Sequence, residues 1–407
     1  MLRVYSTNDS SEGYQIRDFL SRNGIAFQPV TLQSENELFA VGISPDEELP
    51  VVELNDGMRL NAPSLMELAC TLGLIVLPRE GEYDVSIYGA GPAGLSAAVY
   101  AASEGLKTIL LEKLAVGGQA GTSSLIENYM GFPDGVRGAE LADRARQQAV
   151  KFGADIVLFR EGVKGEFCDG RFCTYLADGT RIVSKANICA TGIDYQRLNL
   201  THEESFLNRG LYYGAGTSEA AMCTDEHVFV IGGGNSAGQA VLNFSRYAQR
   251  VTMLVRGTSL SESLSQYLID RIAEKPNVDI MYESQLTGLD GDYKLRRIIV
   301  DTKGSKQEFS TCKTFVCIGG KPNTHWAEGA GVLTKGDYLL TGPDLLTNNM
   351  PPACWKKERT PYYLETSLAG CFAAGDVRFG SVKRVAAAVG EGAMAVTFVH
   401  KFLSEHS

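Results

Sequence analysis

The sequence predicts an α/β protein: two Rossmann-like, doubly wound dinucleotide-binding domains preceded by a small α/β unit. Three observations carry this. A strand–glycine turn–helix–strand pattern occurs at DVSIYGAGPAGLSAAVYAASEGLKTILLEK and again at VFVIGGGNSAGQAVLNFSRYAQRVTMLVR. The first pattern begins only at Asp84, after a stretch with strand, helix and hairpin signals of its own. At 407 residues the chain is long enough for several domains with ample cores.

Residues 1–78 read as the separate unit. LRVYS is a short strand, and Tyr14, Ile16, Phe19 and Leu20 recur at helical spacing across residues 11–23, where Asn23-Gly24 stops the helix. IAFQPVTL is a second strand, ELPVVELNDGMRL a hairpin turning at Asn55-Asp56-Gly57, and SLMELACTLGL a closing helix. This order resembles a glutaredoxin or thioredoxin fold, with Leu49-Pro50 where that fold keeps its cis-proline. The resemblance implies a Cys-Pro-Tyr-Cys at the start of the first helix; Ser10-Ser11-Glu12-Gly13 stand there instead. A hydroxyl cannot form a disulfide, so thiol chemistry at that position is excluded. The unit is then either a docking or dimerisation module, which offers residues 1–78 to a redox protein partner, or an inert relic.

After the linker LPREGEY, Gly89, Gly91 and Gly94 form G-x-G-x-x-G, with Pro92 and Ala93 opening the helix. Gly89 permits the tight turn, Gly91 lets the backbone approach a pyrophosphate, and Gly94 allows close helix–strand packing. The helix N-terminus offers free N–H groups to the pyrophosphate, and Glu112 ends the second strand where the ribose hydroxyls would lie. In the repeat, Gly232, Gly234, Asn235, Ser236 and Ala237 form the corresponding turn. Two such folds in one chain suggest FAD in the first and a nicotinamide in the second, with hydride passing between them.

Charge and composition narrow the rest. A net charge of -10 gives no reason to expect nucleic acid or an anionic membrane as partner. No uninterrupted apolar stretch is long enough to span a bilayer, and MLRVYSTNDS lacks the basic and apolar regions of a signal peptide, so a cytoplasmic home is expected. The nine cysteines are scattered with no C-x-x-C, which reads as reduced and mostly buried thiols; Cys189 and Cys317 sit inside apolar runs. Cys168/Cys173 and Cys312/Cys317 read as packing, with a redox role the alternative. The five histidines stand apart from the cysteines, and no metal site is expected. His202 and His227 read as solvated loop residues, and Glu161, Lys164 and Glu166 as an exposed strand face.

GAGPAGLSAA, GGQAGTSSLIENYMGFPDGVRGAEL, CATGIDYQRL, FVCIGGKPNT and FAAGDVRFGSVKRVAAAVGEGAMAV follow in that order. Together they resemble the low-molecular-weight thioredoxin reductase family across residues 82–407. The resemblance implies an FAD domain at 82–198 and 318–407, with an NAD(P)-type domain at 199–317 inserted in it, and a homodimer. It carries Gly117, Gly118, Gln119 and Asn128 to the FAD site, Ala190-Thr191-Gly192 to its adenine end, and Gly375-Asp376 to the ribityl-phosphate portion. Arg384, Val385 and Ala386 would bring a helix N-terminus under the flavin's pyrimidine ring, where the dipole favours the anionic reduced flavin.

Two departures from the family bear on function. Where its members have Cys-Ala-Thr-Cys, this chain has Gly214-Ala215-Gly216-Thr217, and Cys223 lies downstream without a near partner in sequence. Where they select NADPH with His-Arg-Arg and a further Arg, this chain reads Val255 to Ser261 as VRGTSLS, leaving Arg256 as the one candidate 2′-phosphate contact; NADPH or NADH is expected. Tyr212 and Tyr213 precede the vacated dithiol position and are candidates to stack on the isoalloxazine. The stretch TGPDLLTNNMPPACWKKERTPYYLETS resembles a cysteine-lacking, thioredoxin-reductase-like subset; its Trp355, Tyr362 and Tyr363 cover either a flavin face, a partner surface or an ordinary packed loop. The functional expectation is an NAD(P)H-dependent flavin oxidoreductase that delivers electrons directly to ferredoxin, a quinone, oxygen or a small molecule. A disulfide reductase using other cysteines, and a flavin-bound sensor or partner-binding protein, are the alternatives.

Overall fold

A computed structural model describes the chain except residues 8, 9, 161, 215–219, 221, 222, 406 and 407. Glu161 and positions 215–217 of the vacated dithiol segment therefore lie outside the described residues. The chain forms two compact units. One comprises Met1–Leu68, Thr122–Leu125 and Tyr195–Gly320; the other comprises Ala69–Gly121, Ile126–Asp194 and Lys321–Ser407.

In the first unit the N-terminal stretch builds a four-stranded sheet, ordered Phe27–Thr31, Leu2–Ser6, Val51–Glu53, Arg59–Asn61. The first pair is parallel and the others antiparallel. Helix Ser11–Arg22 buries Ile16, Phe19 and Leu20, whose spacing keeps them on one face. Ser10 caps it, its Oγ accepting from the Gly13 amide at 2.9 Å. The Leu49–Pro50 peptide is cis. A short helix, Glu35–Ala40, occupies a stretch whose polar sequence lacks a helical period.

The rest of this unit holds a five-stranded parallel sheet, Leu211–Tyr213, Lys313–Val316, His227–Ile231, Arg250–Leu254 and Val278–Met281, and a three-stranded antiparallel sheet, Ser284–Gly291, Leu295–Thr302 and Ser305–Ser310. The inner strands of the parallel sheet, Lys313–Val316, His227–Ile231 and Arg250–Leu254, are buried along nearly their whole length, unlike the edge strand Val278–Met281. His227 departs from the solvated-loop expectation: it opens a strand, and its Nε2 pairs with Thr252 Oγ1 at 2.8 Å. Burial, with Arg250 adding to it, holds its imidazole below the usual value.

The second unit is built on a seven-stranded sheet. Asp155–Leu158, Thr108–Glu112, Tyr83–Tyr88, Arg181–Cys189 and Cys371–Ala373 run parallel, and Arg171–Leu176 and Gly162–Cys168 form an antiparallel flank. Lys164 and Glu166 pair on that flank's exposed face. Helices Pro92–Ser103 and Val385–Ser404 cross closely over the sheet. A Cβ at Gly392 would overlap the Ala93 carbonyl, and Ser96 Oγ donates to the Val389 carbonyl at 2.8 Å.

The proline-rich stretch is a packed loop. Glu365, fully buried, takes Arg359 Nη1 at 2.6 Å and Nη2 at 3.0 Å, and accepts from the amides of Tyr362 and Gly370 at 2.9 Å each. The Arg359 guanidinium lies 3.8 Å over the Tyr362 ring, and Trp355 Nε1 donates to the Arg359 carbonyl. Tyr362 stacks on Phe398, and Trp355 is buried; only Tyr363 is exposed, beside Arg378. Among the described residues no helix is long and apolar enough to cross a membrane.

Candidate functional site

In the second unit the carboxyl ends of the parallel strands gather most of the expected FAD residues. Gly89 has φ +100°, and a Cβ there would overlap the Ala190 carbonyl oxygen at the end of the neighbouring strand. A Cβ on Gly94 would overlap the Gly89 carbonyl. Gly91 differs, because its Cβ would meet nothing nearer than the Gly118 Cα at 3.9 Å. Two glycines are thus required by the turn, while the middle one faces open space. Pro92 and Ala93 begin a helix whose N-cap, Gly91, supplies no side-chain hydrogen bond, so its first amides stay free for an anion.

Glu112 ends the adjacent strand. Its Oε2 accepts from the Ala90 amide at 2.9 Å and its Oε1 from the Leu114 amide at 3.0 Å. A carboxylate has about four lone-pair sites, so this role in fixing the glycine turn leaves room for ribose hydroxyls. Gly117 and Gly118 both have positive φ, and the Gln119 side chain donates to the Ile193 carbonyl at 2.8 Å. Thr191 Oγ1 donates to the Asn323 carbonyl, and the Gly192 carbonyl accepts from the Asn323 amide. Asn128 is exposed in the loop after Ile126.

The second helix start converges on the first. A Cβ on Gly375 would lie 3.0 Å from the Ala93 Cβ. Burial pushes the neighbouring Asp376 carboxyl up, opposed by Lys383 and reinforced by Glu391. Glu391 was not singled out by sequence, where it is one acid in an apolar helix; its Oε2 accepts from the Gly375 amide at 2.7 Å and its Oε1 from Arg378 Nη2 at 2.8 Å. Arg384 caps Val385–Ser404 without a side-chain hydrogen bond, so the first-turn amides of Val385, Ala386 and Ala387 have no side-chain cap, and the helical ladder starts with the Ala388 amide on the Arg384 carbonyl. Ser381 Oγ, in the intervening loop, is buried with no partner among the described residues. Two uncapped helix ends, an open glycine and an orphaned hydroxyl are what an extended, phosphate-bearing group such as FAD requires.

The second glycine turn, in the first unit, repeats the logic. A Cβ on Gly232 would overlap the Cys317 carbonyl, whereas one on Gly234 meets nothing within 4 Å. Gly234 caps helix Asn235–Phe244 without a side chain, Ser236 is exposed and Ala237 is buried. Asn235 Oδ1 accepts from the Ser265 amide at 2.8 Å, which ties the following loop to the turn. Arg256 is exposed beyond the adjacent strand, and Ser259 and Ser261 bond each other at 2.8 Å.

The two tyrosines before the vacated dithiol both have protein partners within the first unit. Tyr212 is buried in its own domain's core, stacked on Phe315 at 5.0 Å. Tyr213 donates its hydroxyl to Glu203 at 2.7 Å and accepts from the Leu198 amide; burial and Glu203 together raise its phenol well above the ordinary value. Gly214 has φ +81°, and a Cβ there would overlap the Tyr195 hydroxyl. Burial pushes that phenol up to about 12. Nothing in the tyrosine-rich sequence announces Tyr195.

Cys189 and Cys371 are the one cysteine pair brought together among the described residues, with Sγ atoms 3.7 Å apart and both buried. No group of three or more His, Cys, Asp or Glu able to hold a metal occurs among them either.

An FAD-type cradle and a second dinucleotide turn in one chain define a flavin- and pyridine-nucleotide-using oxidoreductase. Comparison with known proteins agrees. The chain matches the pyridine nucleotide-disulphide oxidoreductase family over residues 83–392 and belongs to it. It is 34% identical to a thioredoxin reductase of Treponema pallidum (78% of this chain, 95% of that one) and 30% identical to a "34.2 kDa protein in rubredoxin operon" of Clostridium pasteurianum (80% and 99%). Among solved structures it resembles thioredoxin reductases of T. acidophilum (TM-score 0.70, 27% identity, 81% of this chain and 100% of that one) and Lactococcus lactis (0.69, 26%, 79% and 99%). The protein is an NAD(P)H-dependent flavin oxidoreductase of the thioredoxin reductase-like group.

Proposed function

We propose that the protein passes electrons from NAD(P)H through FAD directly to an acceptor such as ferredoxin, a quinone, oxygen or a small molecule, with no dithiol of its own. The observation that carries this reading is position 214. The chain has no sulfur from 214 to 217, and at Gly214 the volume a side chain needs is taken by the Tyr195 hydroxyl. FAD, when bound, supplies hydride acceptance and stepwise electron release. The chain's own part is to hold it. Gly91 and the amides of the Pro92–Ser103 helix would take the pyrophosphate, Glu112 the ribose, Ala190-Thr191-Gly192 the adenine end, and Asp376 with the Val385–Ser404 N-terminus the flavin side. Gly234 and its helix would take the nicotinamide's pyrophosphate, with Arg256 the single cation for a 2′-phosphate; NADPH is the proposed donor and NADH the alternative.

The observed cysteine pair does not favour disulfide chemistry. Cys189 and Cys371 lie diagonally on neighbouring parallel strands, since Cys189 registers with Ala373. Strands ~4.8 Å apart and an offset of two residues separate such Cα atoms by roughly 8 Å. Disulfides require less than about 7 Å. Bonding to Cys371, with burial, also pushes the Cys189 thiol well up, away from the thiolate.

The sheet order of the N-terminal stretch and the position of Ser10–Gly13 support the reading of residues 1–78 as a thioredoxin-like domain without the Cys pair. The proposed assembly is a homodimer. A groove of about 860 Å³ between helices Pro92–Ser103 and Gly138–Lys151, lined by Leu95, Val99, Tyr100, Tyr129, Phe132 and Leu141, is one apolar surface for it. The test of function is stopped-flow absorbance of the holoprotein. Millimolar NADPH or NADH should bleach the flavin, and thiol titration should count the same thiols before and after. New thiols on reduction would replace this reading with a disulfide reductase, and no bleaching by either nucleotide would remove it.

A further inference from the structure

Helix Ser11–Arg22 carries two stripes. Ile16, Phe19 and Leu20 face the N-terminal unit's own core. Tyr14, Asp18 and Arg22 recur every fourth residue on another face, and a helix with only one buried stripe would leave these in water. They are instead partly covered. The Tyr14 ring lies 5.3 Å from the Tyr212 ring, packed on the core of the parallel-sheet domain. Asp18 and Arg22, 3.8 Å apart, both act electrostatically on the Tyr195 hydroxyl, the group that fills the Gly214 position. Burial raises the Asp18 carboxyl despite its arginine, the mark of a side chain taken out of water by a neighbour. Glu12 reaches Arg209 at 4.0 Å, an exposed pair that adds little.

We propose that residues 1–68 are a built-in binding partner of the domain formed by residues 195–320, docked through the Tyr14–Asp18–Arg22 stripe onto Tyr212 and Tyr195. The helix that would begin with a redox motif in a thioredoxin-like unit is here an intramolecular docking helix. Its stripe is therefore not on offer to an outside redox protein. An aromatic pair of this geometry contributes about 0.5–1.5 kcal/mol beyond its buried area, so its loss should be measurable.

The inference stands apart from the electron-transfer reading, because its test requires no turnover. Amide hydrogen exchange is followed on dilute, FAD-loaded full-length protein and on Tyr14→Asp. In the parent, amides of 14–22 and 211–213 should be protected without any added protein. In Tyr14→Asp both segments should exchange faster together, by about tenfold, while strands Val51–Glu53 and Val228–Ile231 keep their protection. Those strands report whether either fold has simply been lost. Tyr212→Leu, made on the opposite side of the contact, should speed exchange in 14–22 in the same way. If Tyr14→Asp loosens its helix without 211–213, or Tyr212→Leu leaves 14–22 unchanged in a folded protein, the docking is refuted.

Discussion

Gly91 and Gly94 share one turn, yet an added methyl group should harm them differently. Gly91 sits at φ −72°, ψ −178°, which any residue adopts, and a Cβ there has clear space to Gly118 at 3.9 Å. Gly91→Ala should therefore fold normally, and the smaller unfolded-state entropy favours it by about 0.4–1 kcal/mol. The methyl group would stand where the pyrophosphate meets the backbone. Loss of one charge-assisted hydrogen bond costs roughly 1.5–3 kcal/mol, or about 10- to 150-fold in affinity. Gly94→Ala forces a Cβ into the Gly89 carbonyl and should cost about 1–3 kcal/mol of stability through overpacking. Flavin fluorescence quenching on apoprotein gives the affinity, and circular dichroism with urea gives the fold. Wild-type FAD affinity in Gly91→Ala, or equal stability losses in the two variants, would refute the assignment of the open glycine to the cofactor.

Gly214→Cys should lose about 1–3 kcal/mol from the left-handed backbone alone, with more from the Tyr195 overlap. Adding Tyr195→Ala should recover the overlap part, so the two effects in urea denaturation will not sum. Glu365→Ala, followed by thermal unfolding, should cost about 1–3 kcal/mol for each amide it leaves unpaired in the interior, those of Tyr362 and Gly370, while Arg359 keeps its pair with Glu405. Asp18→Asn should raise the unfolding midpoint at neutral pH. The folded carboxyl is raised above its unfolded value of 3.8, so ionising it disfavours the fold at higher pH, and the gain should vanish as pH falls below that value.

The glycine turns were legible because a tight turn and a close backbone approach leave no alternative to glycine, wherever the rest of the fold goes. The N-terminal strands and first helix were legible from Ile16, Phe19 and Leu20, whose spacing encodes one buried face. The second stripe was not. Tyr14, Asp18 and Arg22 have the composition of a solvated face, and only the neighbouring domain covers them. Tyr212 shows a related effect. An aromatic residue beside a functional segment suggests a ring to stack on a ligand, but its period-two position in Leu211–Tyr213 turns it inward onto Phe315. Glu391 and Glu365 were missed because a buried carboxylate has no sequence period; it is defined by the donors that folding brings to it.

The anchoring of the proline-rich stretch by a single interior carboxylate has a practical consequence. Thr341 and Leu345 on one side of its tip and Trp355 on the other are buried too, so the exposed residues 347–350 between them should tolerate substitution or lengthening with little penalty while those anchors and the Glu365–Arg359 pair persist. The outward-facing tip at Met350 is then a natural place to splice in an affinity tag or a fluorescent reporter.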